Sequence, residues 1–467
     1  MRDPAPGFGS DVVRFGTAIL FVLALNVVQV FIVPRRLGIE AFGEYRVFLL
    51  YIGYLGVLHL GLVDGAFLRW VGRPLSLIRR EWPIVLRRLA LMQLPVLIAA
   101  VLAYAFATEQ LTRTYLVAFG TCAVAANLTA FASFTLQAAG DFQGAGRVTA
   151  LQPALFAAAV VVLPLASLSA MLSTFVATYA ISAVVGLGRL SGVTRAASLD
   201  EPMPSDLAPL SFREFVISGL PVLGAGIATG LSQYADRILV SLALPVAAFA
   251  FYGFASSAMA LAGVARQTLS RVALTHAARR EGETRAVFLD GMYGVIAACY
   301  GAALVGEPLF EFVVAHVLAR YISSLAIVRA LIPGALFWVA TTVVVLGTLQ
   351  TYGNVRRQFA VSVVCAILAV IGAAAALAAG APLWGIAAAA SVGTVIAWFV
   401  GVLLTHHVIA DARLASAWRF LGLVAVQSFG LGAALLLASN VVARTAICAL
   451  IVAGPTFVAA RGARSLW

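Results

Sequence analysis

The chain contains no lysine; all 31 basic residues among its 467 are arginine. That excludes a Walker-type phosphate loop, which needs a lysine on the phosphates, and any Schiff-base lysine. No HExxH, GxSxG or tight His/Cys run occurs, which removes the common zinc and acyl-transfer designs. The four cysteines, Cys122, Cys299, Cys365 and Cys448, each stand alone in an apolar run. They read as small packing residues, neither disulfides nor ligands. Charge is scarce as well, at 11% of residues, against roughly 25% in a soluble domain.

What is present is apolar. Hydrophobic residues make up 62% of the chain, and the mean hydropathy is +1.01. Runs of about 20 residues, enough to cross a bilayer's hydrocarbon core, recur from end to end. They lie near 12–33, 47–66, 89–107, 115–138, 148–166, 169–188, 215–234, 238–262, 287–305, 322–350, 358–380, 384–404, 418–438 and 441–460. This pattern predicts an all-α integral membrane protein with about 14 transmembrane helices. The first run is longer than a signal-peptide core and ends in "PRR" without a small-residue cleavage site, so it is expected to stay as a span. The run at 322–350 is long enough to be tilted or broken.

Arginine placement sets the orientation. With a cytoplasmic N-terminus, Arg35, Arg36, Arg46, Arg113, Arg237, Arg320, Arg329 and Arg444 fall outside, and the other arginines fall inside. This positive-inside bias puts both termini in the cytoplasm. The two longest polar connections, 67–88 and 189–214, are then cytoplasmic. The first carries "LSLIRREWPIVLRR", whose pattern suits a helix lying on the anionic inner leaflet. The second carries "SLDEPMPSDLAP" and reads as a linker. The expected division is a first lobe of six helices at 1–190, a linker at 191–214, a second lobe at 215–407, and two additional helices at 408–467. A weak repeat agrees with two lobes: "NVVQVFIVPRRLGIEAFGEYRVF" is similar to "GLSQYADRILVSLALPVAAFAFYGF", as in parallel transporter repeats.

Polar groups inside the spans are the candidate site residues, because a charge at bilayer depth costs about 2.5–3.5 kcal/mol on insertion scales. "GVLHLGLVDGAFLRW" spaces His59, Asp64 and Arg69 five apart. On a continuous α-helix five residues turn through about 500°, so three separate roles are expected. Arg69 reads as a snorkelling anchor. Asp64 reads either as a capping and pairing group or as a gating contact. His59 reads as a neutral packing residue or as a cavity group. Asp236 and Arg237 either flank an outer turn between spans seven and eight, or Arg237 lines a cavity while Asp236 orients a partner arginine. Arg14, Arg46, Arg320 and Arg329 lie at or inside span ends, and a guanidinium fork suits bidentate contact with an anion. Asn26, Gln29, Asn127, Gln137, Gln152, Gln233 and Gln350 would bond between helices or to polar groups in a cavity. The cavity candidates are Arg14, Asn26, Gln29, Arg46, His59, Asn127, Gln233, Asp236, Arg237 and Arg329. The gating candidates are Asp64 and Asp236. Gly61–Gly65 and Gly226–Gly230 read as close-packing or hinge positions.

Three blocks carry a family resemblance. "VPRRLGIEAFGEYRVFLLYIGYLGVLHLGLVDGAFLRW" resembles the first hairpin of the polysaccharide-exporting flippases, with their "LG…FG.Y" turn and "LGL.DG…R" exit. "SGLPVLGAGIATGLSQYADRILVSLALPVAAFAFYGFA" is similar to that family's "G.P…S…DR…….G.Y" segment, except that "AFAFYGF" stands where a glycine more often precedes the tyrosine. The stretch from "YISSLAIVRALIPG" to "WGIAAAASVGTVIAW" resembles the tenth to twelfth spans. The resemblance implies membership of the multidrug/oligosaccharidyl-lipid/polysaccharide exporter superfamily and two six-helix lobes around a central cavity. It also implies alternating access, and a polyprenyl-diphosphate-linked oligosaccharide as cargo for O-antigen or exopolysaccharide synthesis. Polysaccharide polymerase and glycosyltransferases would then be partners in a bacterial inner membrane. No enzyme activity, cofactor, metal or nucleic-acid partner is expected. Two rivals stay open: a multidrug or organic-cation exporter of the same superfamily, and an integral-membrane glycosyltransferase or polymerase.

Overall fold

A computed structural model describes residues 24–71, 73–195, 211–259, 282–351, 355–406, 414–438 and 440–463, together with Gly263 and Leu269. Every regular element among them is helical. Eleven helices are long and apolar enough to cross a membrane, and two further apolar helices, Val246–Ala258 and Val441–Leu450, are shorter. The chain is therefore a multi-pass membrane protein. Arg14 and the start of the first expected run lie outside the described residues, as does most of the expected linker, 196–210.

One compact unit is Ala24–Gly230; a second contains the described residues from Leu231 onward. The boundary between these units falls inside a helix. The first unit contains α1 (24–36), α2 (Ile39–Ile52), a 3₁₀ turn (Leu55–His59), α3 (Leu62–Trp70), α4 (Leu75–Phe106), α5 (Gln110–Ala138), α6 (Phe142–Val162), α7 (Leu168–Arg195) and the first part of α8 (Phe212–Ala243). The second contains the rest of α8, then α9 (Val246–Ala258), α10 (Gly282–Val317), α11 (Ser324–Ala340), α12 (Val355–Ala378), α13 (Leu383–His406), α14 (Leu414–Leu437) and α15 (Val441–Ala463). After α11 a π turn, Thr341–Leu346, leads into Gly347–Thr351, so the long tenth run continues through an irregular turn.

Two sequence expectations need correction. "LSLIRREWPIVLRR" is not a separate surface helix. It forms the first half of α4, a continuous 32-residue helix with Pro83 and Pro95 inside it. At 1.5 Å per residue α4 is about 48 Å long, well beyond a hydrocarbon core of about 30 Å. Nor is 47–66 one helix. The chain breaks after Ile52, winds through the 3₁₀ turn, and passes Leu60 at φ 46° and Gly61 at φ 81° before α3 begins. Positive φ is accessible to glycine and strained for leucine, so this break is held by its surroundings.

Apolar side chains pack the break into place. Leu62, Val63, Ala66 and Trp70 of α3 are buried against Leu77, Ile78, Val85 and Leu89 of α4 and Phe131 and Leu136 of α5. In lipid such packing gains from close contact more than from water release. The tightest approach is between α3 and α8. A Cβ on Gly219 would lie 1.9 Å from the Gly61 carbonyl oxygen, and one on Gly65 would lie 1.9 Å from that of Phe215. Backbone opposes backbone at both points, so nothing can yield. Gly226, by contrast, has no neighbour within 4 Å of a built Cβ. Gly219→Val is expected to destabilise the protein by about 3 kcal/mol or more. Gly226→Ala should be neutral or gain a few tenths of a kcal/mol, roughly. Thermal unfolding of the purified protein in detergent checks both.

Candidate functional site

The helix break determines the polar chemistry of the first unit. Interrupting a helix strands carbonyl groups that have no i+4 donor, and lipid offers no water to satisfy them. Two buried amides take over that role. Gln93 Nε2 of α4 donates to the Leu58 carbonyl at 3.2 Å, and Asn127 Nδ2 of α5 donates to that of Leu55 at 3.2 Å. Asn127 also donates to Gln93 Oε1 at 3.1 Å, linking the two. Both side chains are buried. Asn127 was foreseen as an interhelical group. Gln93 was missed, although its signal, one amide in the apolar run "LALMQLPVL", was the same.

The same break overturns the argument that His59, Asp64 and Arg69 point apart on one helix. His59 is buried in the 3₁₀ turn, and its Nδ1 accepts from the Gly61 amide at 3.2 Å. An acceptor at Nδ1 matches a neutral ring carrying its hydrogen on Nε2. Asp64 Oδ2 comes within 3.9 Å of that Nδ1 and has no hydrogen-bond partner. Arg69 is not a snorkelling anchor. Its Nε and Nη2 bind the Glu81 carboxylate at 2.6–3.1 Å, the Trp70 indole donates to the same group at 2.8 Å, and the guanidinium lies over the Phe215 ring. Its side chain is 6% exposed. The ion pair with Glu81 tightens α3 against α4.

Other first-unit candidates are dispersed. Gln29 donates from α1 to the Pro153 carbonyl of α6 at 3.3 Å. Asn26 is half-buried one turn earlier on α1, and Arg46 is half-buried on α2. Several arginines assigned to the outside cap helix ends. Arg36 donates to the carbonyls of Leu163 and Val161 beyond and at the end of α6, Arg113 to Ala107 after α4, and Arg444 to Ala438 after α14. Each satisfies carbonyls that the helix itself leaves orphaned.

In the second unit, Asp236 and Arg237 do not flank a turn. They sit inside α8, which runs on to Ala243. Asp236 is buried and accepts from the Tyr252 hydroxyl of α9 at 2.5 Å. Arg237 is half-buried, stacked on the Tyr234 ring at 4.7 Å, and its Nε has no hydrogen-bond partner. Both line a cavity of about 60 Å³ together with Gln233, Trp338, Ser391 and Thr394. That volume holds a few waters; it is too small for a sugar ring. Arg329 is placed elsewhere. Its Nε binds Glu307 at 2.7 Å and its Nη2 binds Glu311 at 2.8 Å, while Arg444 Nη1 also binds Glu311 at 2.5 Å. Both acids lie beyond the expected end of the ninth run, at 305. The run underestimated α10, which continues to Val317. Among the described residues, no group of three His, Cys, Asp or Glu side chains could hold a metal ion.

No family model matches the sequence, and no curated protein matches it. Solved structures do match in fold. The inward closed conformation of lipid II flippase MurJ superposes with a TM-score of 0.69 at 13% identity, covering 96% of this chain and 99% of that one. An inward-facing multidrug resistance MATE transporter of the MOP superfamily gives 0.62 at 15% identity, over 83% of this chain and 94% of that one. A MOP superfamily transporter from Pyrococcus furiosus gives 0.55 at 13% identity, over 87% and 97%. The chain thus shares the fold of these proteins, which are a flippase and transporters.

The amide pair around the break yields a stability prediction. Gln93→Leu and Asn127→Leu should each cost about 1–3 kcal/mol, because each removes a hydrogen bond between buried groups. Since the two side chains are bonded to each other, the double variant should lose less than the sum. Chemical unfolding of the four proteins measures the coupling.

Proposed function

We propose that this protein is a flippase that moves a polyprenyl-diphosphate-linked oligosaccharide from the cytoplasmic to the outer leaflet by alternating access, for cell-surface polysaccharide synthesis. The observation that carries the reading is Arg237: a guanidinium inside an apolar helix, with Nε unbonded at a polar cavity. It sits in a fold that matches a lipid II flippase over nearly the full length of both chains. A diphosphate headgroup needs such a cation, and a guanidinium stays charged at any physiological pH. The reading includes fourteen spans, lobes at 1–190 and 215–407 joined by 191–214, two further helices at 408–467, and both termini in the cytoplasm of a bacterial inner membrane. The cargo headgroup draws on Arg14, Asn26, Gln29, Arg46, His59, Asn127, Gln233, Asp236 and Arg237, with Asp64 and Asp236 in gating; Arg329, the tenth candidate, is held by Glu307 and Glu311. Membrane lipids surround it, and a polymerase and glycosyltransferases work before and after it.

No nucleotide site is visible in the sequence, so the drive is an ion gradient, the membrane potential or consumption of the product outside. An inside-negative potential favours outward passage of an anion by about 2.3 kcal/mol per charge per 100 mV. The MATE likeness supports an organic-cation exporter as the second reading; cation efflux in a pump-deficient host separates the two.

Two substitutions test the role of Arg237. Arg237→Ala should lower transport about tenfold or more, the loss of a charge-assisted contact, with little change in protein abundance. Arg329→Ala strands the buried Glu307 carboxylate, which costs about 3–5 kcal/mol, so abundance and transport should fall together. Transport is read as restored surface polysaccharide in a flippase-deficient host, and abundance by immunoblot. Parallel loss of both in Arg237→Ala would make that arginine structural and remove the main support for the reading.

A further inference from the structure

The second unit contains another cavity, of about 380 Å³, that the transport reading leaves unused. Its walls come from the end of α9 and from α10 and α11. Ile296, Phe310, Val328, Ile332 and Leu336 make it strongly apolar. The size falls in the range of small-molecule sites, which are apolar with a few placed polar groups.

Glu307 is that placed group. It lines the cavity, its side chain is 1% exposed, and Arg329 takes only Oε1. Oε2 is buried and has no hydrogen-bond partner. Glu307 lines the cavity and Arg329 does not, and Oε2 is the oxygen that Arg329 leaves open. A buried acceptor without a donor is unfavourable and calls for one. The charge of the surroundings identifies the kind of donor. Glu307 and Glu311 are offset by Arg329 and Arg444, so the cluster is already balanced. A cation would add an uncompensated charge to an apolar wall, whereas a neutral O–H group supplies the missing hydrogen and nothing else.

We propose that this cavity binds a neutral aliphatic molecule carrying one hydroxyl group, with the hydroxyl donating to Glu307 Oε2 and the chain lying between α10 and α11. The proposal does not depend on what the protein transports.

Cys299 provides the readout. It lines the cavity and is exposed, whereas Cys122, Cys365 and Cys448 are buried. The full-length protein in phosphatidylcholine vesicles is labelled with N-ethylmaleimide, and the rate at Cys299 is followed by mass spectrometry. The additives are 1-dodecanol, dodecane or dodecylammonium at equal membrane mole fraction. Dodecanol should slow labelling about fivefold more than dodecane, the discrimination expected of one hydrogen bond, and more than dodecylammonium. Ala303→Trp, which narrows the cavity, should abolish the protection by dodecanol. Equal protection by dodecane would overturn the proposal in favour of simple chain filling. Strongest protection by dodecylammonium would overturn it in favour of a cation site, and no protection by dodecanol would remove the site. If Ala303→Trp fails to fold, the comparison of additives on the unaltered protein still decides.

Discussion

Backbone carbonyls in hydrocarbon have no water to turn to, and the irregular features of this fold depend on that constraint. The break between α2 and α3 exists because Gln93 and Asn127 reach in from α4 and α5 to the carbonyls it strands. With those donors in place, Leu60 and Gly61 hold positive φ, and the helical register is interrupted there. His59 and Asp64 become neighbours through that change. Helix ends follow the same rule by other means, with Arg36, Arg113 and Arg444 reaching carbonyls that close α6, α4 and α14.

The arginines therefore divide by what occupies them. Arg69 is committed to Glu81, and Arg329 to Glu307 and Glu311. These pairs hold helices together, and their charges are already offset. Arg237 differs: it is stacked on Tyr234, has an unbonded Nε, and faces a cavity whose polar wall includes Asp236 and Gln233. An anionic headgroup would find this cation less committed than Arg69 or Arg329. The cavity as it stands admits water and is too small for a sugar ring.

Much of the architecture was legible in the sequence because lipid imposes a simple pattern. Apolar runs of about 20 residues mark spans whatever their packing, and eleven of the expected runs correspond to long apolar helices. The runs were less informative about where helices end. Asp236 and Arg237 interrupt an apolar run and so read either as flanking a turn or as cavity groups; α8 carries both, with the Tyr252 hydroxyl bonded to the carboxylate. Glu307 and Glu311 likewise looked like loop residues, and α10 retains them because Arg329 and Arg444 neutralise them. Hydropathy cannot see a partner that lies over a hundred residues away, as Arg444 does from Glu311. The break at Gly53–Gly61 was hidden for the same reason: its donors come from two other helices. Gly61 and Gly65 were legible as a close-packing pair, whereas their partner Gly219 shows only in three dimensions.

The central claim is that this chain carries a lipid-linked anionic sugar across a bilayer. Its most direct test is reconstitution of the purified protein into vesicles holding a fluorescent polyprenyl-diphosphate oligosaccharide in the inner leaflet, with appearance in the outer leaflet followed by quenching. The account predicts movement well above that of protein-free vesicles, accelerated when the interior is made negative. Movement no faster than in protein-free vesicles, alongside transport of an organic cation by the same preparation, would contradict it.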